Sequence, residues 1–229
     1  MARRFVRPLL GAAALVFSTL AYTWLALPDV RPLRTVNPRS TAFMDLRAAE
    51  ARQAGAAPQN LQVWAPYESI SPSLRKAVLV TEDAAFWQHD GVDYVEVRAA
   101  LARGWASGQL PRGASTITQQ LAKNLYLSPS RNPYRKLAEL FITRRLEAEL
   151  TKRRILELYL NAIEWGDGIW GAEAAARVYF GASASTVSAT QAALLAGAII
   201  NPRLYSPAHP NRRLLNRQRI ILAKMGDEF

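Results

Sequence analysis

The 229-residue chain contains no cysteine and only two histidines. The first absence rules out a disulfide framework and any thiolate metal site, and it decides nothing about compartment. His89 and His209 stand far apart in sequence and suggest no metal cluster. Acid is also scarce: 18 Asp+Glu against 29 Lys+Arg leave a net charge of +11. That imbalance favours anionic partners, whether nucleic acid, anionic lipid or a phosphorylated substrate. Internal repeats and low-complexity tracts are missing, and no alternating apolar run is long enough to read as a strand. What remains is a chain that is half apolar, enough to bury one sizeable core with room for a small second lobe.

Predominantly apolar runs long enough to cross a bilayer are missing too, with one exception. Arg3, Arg4 and Arg7 precede 19 uncharged residues from Leu9 to Leu27, "LLGAAALVFSTLAYTWLAL", between Pro8 and Pro28. As a helix this run would span about 28 Å, close to the thickness of a bilayer core. Tyr22 and Trp24 lie near its far end, where an interfacial aromatic belt belongs. A membrane anchor is the favoured reading. A cleaved signal peptide usually has a shorter apolar region and a small-x-small cleavage site, which is not evident here. A buried core helix is the third alternative. Orientation is weakly marked, because Arg31, Arg34 and Arg39 follow the run much as the other three arginines precede it.

The segment "PDVRPLRTVNPRS", with three prolines, reads as a juxtamembrane linker. Residues 41–57 look helical but weakly patterned, and the core domain is expected to start near Trp64. From there cap signals mark a series of helices. Ser71-Pro72 opens one through Val80, and Asp93 with Glu96 opens another to Gly108. Thr116 with Gln119 and Ser188 with Gln191 repeat the capping pattern. Asn132-Pro133 opens a long helix with Leu137, Leu140, Phe141 and Leu146 on its apolar side. Further helices are expected over Ile155 to Ala162, over Ile169 to Phe180 with a stop at Gly181, and from Asn211 onward. The fold class is mostly α.

Three stretches carry candidate chemistry. "TEDAAFWQHDG" puts Glu82 and Asp83 at a helix end, followed by aromatics. Neighbours on a helix diverge, so one acid is expected to face a cleft and the other to tie the turn. Nearby aromatics would raise a carboxyl pKa and suit a general base, although a capping or salt-bridging acid explains the same pattern. "SRNPYRKLAELFITRRLEAELTKRR" carries eight Lys/Arg and three Glu. Arg131, Arg135 and Lys136 open a helix whose macrodipole is already positive there, which suits a diphosphate. A plain Arg135–Glu139 pair on a solvated face is the alternative. In "GASTITQQLAKN", hydroxyls and carboxamides precede Lys123, a set able to hold sugar hydroxyls and phosphate oxygens. Thr116 and Gln119 could instead simply cap the helix.

Taken in order, "EDAAFWQHDG", "GASTITQQLAKN", "RKLAELFITRRLE", "KRRILELYLNAIEWGDGIWGAEAAARVYFG" and "QAALLAGAIINPRLYSP" resemble the five successive motifs of bacterial peptidoglycan glycosyltransferases, glycosyltransferase family 51. The resemblance covers about residues 64–207. With the chain ending at Phe229, it is similar to the monofunctional form, which lacks the transpeptidase of bifunctional penicillin-binding proteins. It implies a lysozyme-like helical domain with a smaller membrane-associated lobe, the lobe lying near Gly108 to Asn132. The implied organisation is a short basic cytoplasmic segment over residues 1–8 and a single-pass anchor over 9–27 in the inner membrane. A linker and helix over 28–63 would follow, then the glycosyltransferase domain over 64–229 on the periplasmic side.

The same resemblance implies that Glu82 is the general base and Glu139 a second important glutamate that orients or neutralises cations. It puts Ser115, Gln119, Lys123 and Asn124 along the donor and acceptor cleft, and Lys123 and Arg131 on the lipid diphosphate. Gln119 and Gln120 become sugar or diphosphate contacts, while Asn161, Glu164, Gly166, Gly168 and Gly171 belong to the fourth motif. Implied partners are lipid II, a lipid-linked glycan chain, membrane lipid and cell-wall synthesis proteins, not nucleic acid. No cofactor is required, although a divalent cation, Mg or Mn, could assist; no metal ligands stand out. Two departures are Gln191, where many members carry an acid, and the segment before Trp64, which lacks a family signature. A lytic muramidase, a tethered nucleic-acid binder and a non-catalytic scaffold are the rival readings.

Overall fold

The computed structural model describes residues 11, 14–15, 17–22, 24–108, 113–129 and 132–227. The described residues between Gly11 and Leu25 are helical, and Leu15, Phe17, Tyr22, Trp24 and Leu25 are exposed. An exposed apolar helix is not the buried core helix offered as an alternative. Among the described residues no helix is long and apolar enough to cross a membrane. Leu9, Leu10 and several other positions of the expected anchor lie outside the described set.

The segment expected to be a linker is packed into the domain. A 3-10 turn over Arg31–Arg34 sends Leu33 inward, and Val30 and Leu33 both join the main core. Proline-rich backbone has few hydrogen bonds of its own, so arginines from elsewhere serve its carbonyls. Arg154 donates through Nε to Leu33 O at 2.8 Å and through Nη2 to Val36 O at 3.2 Å, and Arg145 Nη1 reaches Pro28 O at 3.4 Å. Helix α1 (Ala42–Gln53), capped by Thr41, then lies against α4 (Ile117–Tyr126).

Most cap signals are realised where the sequence puts them. Ser71 caps α2 (Pro72–Glu82), Asp93 caps α3 (Tyr94–Ser107), and Thr116 with Gln119 forms a reciprocal capping box on α4. Asn132 caps α5 (Pro133–Glu149) and Thr151 caps α6 (Lys152–Ala162). Two expectations about these helices fail. The buried face of α5 is Ala138, Glu139, Ile142, Thr143 and Leu146, so it includes an acid, while Leu137, Leu140 and Phe141 are only half-buried. The region expected to form a separate lobe contains α4, which is instead a core helix with Ile117, Leu121, Ala122 and Leu125 buried. The exposed element is α3, which buries only Ala100 and Gly104.

After α6 the chain makes the only sheet among the described residues. Strands β1 (Leu61–Gln62), β2 (Glu164–Gly166) and β3 (Ile169–Trp170) run in the order β1-β3-β2. β1 is parallel to β3, with Leu61 opposite Ile169, and β2 is antiparallel to β3. Strands this short cannot display alternation, which is why the sequence shows none. The helix expected from Ile169 therefore starts later, as α7 (Ala172–Phe180), because Gly171 breaks the backbone with φ 85°. α8 (Ala189–Ala198) is apolar nearly all round and sits between α2 and α9 (Arg212–Asp227). Such a helix is stable only when covered on several sides.

Candidate active site

Helices α2 and α4 meet end to end, and the residues at that junction are fixed by one buried network. Asp83, the C-cap of α2, accepts from Ile117 N at 2.9 Å through Oδ2. Its Oδ1 lies 2.9 Å from His89 Nε2. His89 Nδ1 accepts from Gly91 N at 3.1 Å, so the ring proton sits on Nε2 and is donated to Asp83. Gly91 O in turn accepts from Thr116 Oγ1 at 2.7 Å. Gly91 has φ 84°, and an added Cβ would lie 2.7 Å from Thr143 Cγ2. Asp83 thus ties the turn, while its neighbour Glu82 takes no part in that network.

Glu82 lines a cavity of about 270 Å³ with Asp83, Asp93, Glu96, Gly113, Ser115 and Thr116, closed on another side by Lys224 of α9. Its Oε2 accepts from Gln120 Nε2 at 2.8 Å. Burial pushes the Glu82 carboxyl above its ordinary pKa. The hydrogen bond from Gln120 and the charges of Arg217 and Lys123 pull the other way, and Asp83 adds to the rise.

Lys123 comes from the same helix as Gln120, one turn on. Burial lowers its ammonium pKa; Glu139 opposes that, Arg135 and Lys136 reinforce it, and Glu82 opposes it again. Lys123 therefore feels both glutamates and both neighbouring cations. Its Nζ lies 5.7 Å from the Phe43 ring centroid. Glu139 is only 3% exposed and receives Arg135 Nη1 at 2.7 Å, while Lys136 Nζ bonds its other oxygen. An acid this buried requires such partners. The Arg135–Glu139 pair is thus present, but as a buried clamp beside Lys123 and not on a solvated face.

Other expected site residues divide. Ser115 is exposed at the cavity. Asn124 is buried, with Nδ2 on Gln120 O at 2.8 Å. Gln119 is not in the cleft: its Oε1 accepts from Thr116 N at 3.1 Å, and the capping alternative describes it. Arg131 lies outside the described residues. In the fourth motif, Asn161 pairs with Ala65 through both ends of its carboxamide, at 2.8 and 2.9 Å. Glu164 is buried against Arg47, whose Nε lies at 3.1 Å. Both hold the frame. Sequence reasoning missed Tyr159, whose hydroxyl donates to Gln120 Oε1 at 2.9 Å, and the basic side chains of α9, Arg217 and Lys224. An aromatic inside an apolar helical stripe carries no signal to separate it from core. Among the described residues no group of three or more His, Cys, Asp or Glu is placed to hold a metal ion.

The profile of the family described as "Transglycosylase" matches residues 50–226. The chain is also 48% identical over 190 residues to the biosynthetic peptidoglycan transglycosylase of Nitrosospira multiformis, covering 83% of each chain. It is 44% identical over 216 residues to the protein of that name from Laribacter hongkongensis, covering 94% of this chain and 95% of the relative. The chain belongs to the transglycosylase family. In this transglycosylase the matched region includes every element of the cavity and of the cationic cluster, α9 among them.

Proposed function

We propose that this transglycosylase, a glycosyltransferase of peptidoglycan synthesis, polymerises lipid II into β-1,4-linked glycan strands and releases polyprenyl diphosphate. The observation that carries the reading is the Glu82 carboxylate lining a cavity and held by Gln120, with Lys123, one turn on from Gln120, within electrostatic reach of both Glu82 and the Glu139 clamp. A sugar hydroxyl is a poor nucleophile at neutral pH, so a base must take its proton as the new bond forms; Glu82 is that base. Diphosphate leaves as a stable anion, so it needs positive charge and not a general acid. Lys123, Arg135 and Lys136 supply that charge, and Glu139 keeps the cluster from repelling itself. Backside displacement of an α-linked diphosphate gives the β-linkage. Glu82 must be ionised to act, so the acid limb of activity lies above the ordinary glutamate pKa of about 4.3.

A lytic enzyme is the second reading, because Asp93 and Glu96 line the same cavity and glycosidases need a second working carboxyl. Both are otherwise engaged: Asp93 Oδ1 caps α3 through Glu96 N at 2.9 Å, and Glu96 pairs with Arg103. The test is incubation with lipid II and, separately, with purified glycan. Polymer from lipid II, abolished by Glu82→Gln, is the expected result. Soluble fragments from glycan without polymer would replace this reading with the lytic one.

We place the catalytic domain at the periplasmic surface of the inner membrane, held by the apolar N-terminal segment. A polyprenyl tail keeps the substrate in the bilayer, so the enzyme must work there. Support comes from the exposed apolar residues of the N-terminal helix and of α3, where Trp105, Leu101 and Val95 face outward. The excess of basic residues suits anionic lipid, each worth about 1 kcal/mol near the surface.

A further inference from the structure

Gln120 is held at both ends of its carboxamide. Nε2 donates to Glu82 Oε2 at 2.8 Å and reaches Ser115 O at 3.4 Å, while Oε1 accepts from the Tyr159 hydroxyl at 2.9 Å. A carboxamide can turn over by half a rotation with almost no change of shape, so its partners alone decide which end faces where. An ionised Glu82 has no proton to give and accepts only. Tyr159 has one proton to give and is fully buried, where a hydroxyl must find an acceptor. Its pKa is pushed well above the ordinary phenol value, by burial first and then by the charges of Glu82 and Asp83, so the proton stays.

We infer that Tyr159 is a positioning residue for the general base: by holding the carbonyl end of Gln120, it keeps the amide N–H on Glu82 Oε2 and leaves Oε1 to take the proton. Among the described residues Glu82 Oε1 has no hydrogen-bond partner, which suits that division between the two oxygens. An N–H aimed at the carboxylate favours its charged form, against burial, which disfavours it. A Gln120 free to turn would offer its carbonyl to a protonated Glu82 and hold the acid neutral and inactive. The inference rests on the reading of Glu82 as the base.

The other groups facing Glu82 are Arg217 from α9, Lys123 from α4 and Asp83 from α2; Asp93, Glu96 and Lys224 line the same cavity. None of them is hydrogen-bonded to Tyr159, so Tyr159→Phe removes one hydroxyl and leaves the charges in place. The test is the pH–rate profile of lipid II polymerisation for wild type, Tyr159→Phe, Gln120→Leu, the double variant and Glu82→Gln, with thermal unfolding of each. In Tyr159→Phe the acid limb of kcat moves up by about 0.5–1 pH unit, and alkaline pH restores the rate. KM changes by less than about twofold, since the substrate contacts remain. Gln120→Leu shifts the limb the same way, and Tyr159→Phe adds nothing in its background. An unshifted limb, a loss equal at every pH, or a Tyr159→Phe shift that persists without Gln120 overturns the inference. Should Tyr159→Phe unfold below assay temperature, the Gln120→Leu profile decides by the same criterion. Full activity in Glu82→Gln overturns the base reading and this inference together, whereas inactive Glu82→Gln beside an unshifted Tyr159→Phe overturns the inference alone.

Discussion

At Glu82, burial raises the carboxyl pKa while Gln120, Arg217 and Lys123 work against it, and burial wins. The folded state therefore takes up a proton at higher pH than the unfolded chain does. Stability contributed by this group is greatest at low pH and falls as pH rises from about 4.3 through the raised folded value. Glu82→Gln removes that slope. The variant is expected to melt a few degrees above wild type at pH 7, by about 2–4 °C, with the gap closing toward pH 4. Calorimetric scans at several pH values check this, and a variant that melts lower at neutral pH contradicts it. Asp83 differs because both its oxygens accept from buried donors, Ile117 N and His89 Nε2. Asp83→Asn sets an NH2 group against one of those donors and costs about 1–3 kcal/mol in urea unfolding. Because Ile117 N begins α4, polymerisation falls with it even though Glu82 is untouched. If Asp83→Asn unfolds at the wild-type urea concentration, Asp83 does not anchor α4.

Among elements, α4 and α5 were the most and least legible. The caps of α4 are written in Thr116 and Gln119, and the structure realises both. What the motif could not reveal is that one of its two glutamines serves the cap and the other holds Glu82, because adjacent side chains of one type diverge only once the helix exists. The inward face of α5 differs from the expected one because Glu139 sits where an acid would ordinarily mark solvent, and the two cations that permit its burial, Arg135 and Lys136, read in sequence as partners on an exposed face. Phe43 and the α9 cations come from segments far outside the central motifs, so no spacing rule could link them to Lys123 or Glu82. The packing of α5 on the turn after α2 makes a sharp prediction at Gly91. Alanine there must adopt φ 84° and press on Thr143 and on Glu147, whose Cγ would be 2.9 Å away. Left-handed strain and overpacking together cost about 2 kcal/mol or more. Urea unfolding of Gly91→Ala measures it, and a change below about 0.5 kcal/mol would mean α5 yields freely.

For the whole molecule, the charge of +11 and the exposed apolar face of α3 point the same way. Trp105 is 94% exposed, with Leu101 and Val95 also outside, and these residues make no contribution to the buried core. Replacing Trp105 and Leu101 by serine therefore leaves thermal stability within about 0.5 kcal/mol of wild type, the range of surface changes. If α3 lies in the headgroup region, the same double variant weakens association with vesicles containing anionic lipid, because apolar area and basic charge act together there. The two contributions separate by salt: raising ionic strength screens the basic residues and leaves the apolar contact. Wild type should keep part of its vesicle binding at high salt, and the Trp105→Ser, Leu101→Ser protein should keep little. Sedimentation with vesicles across a salt series reads both effects. Equal retention of the two proteins at high salt would assign the attachment elsewhere, to the N-terminal helix with exposed Phe17, Trp24 and Leu25, and would leave α3 open to solvent in the working enzyme.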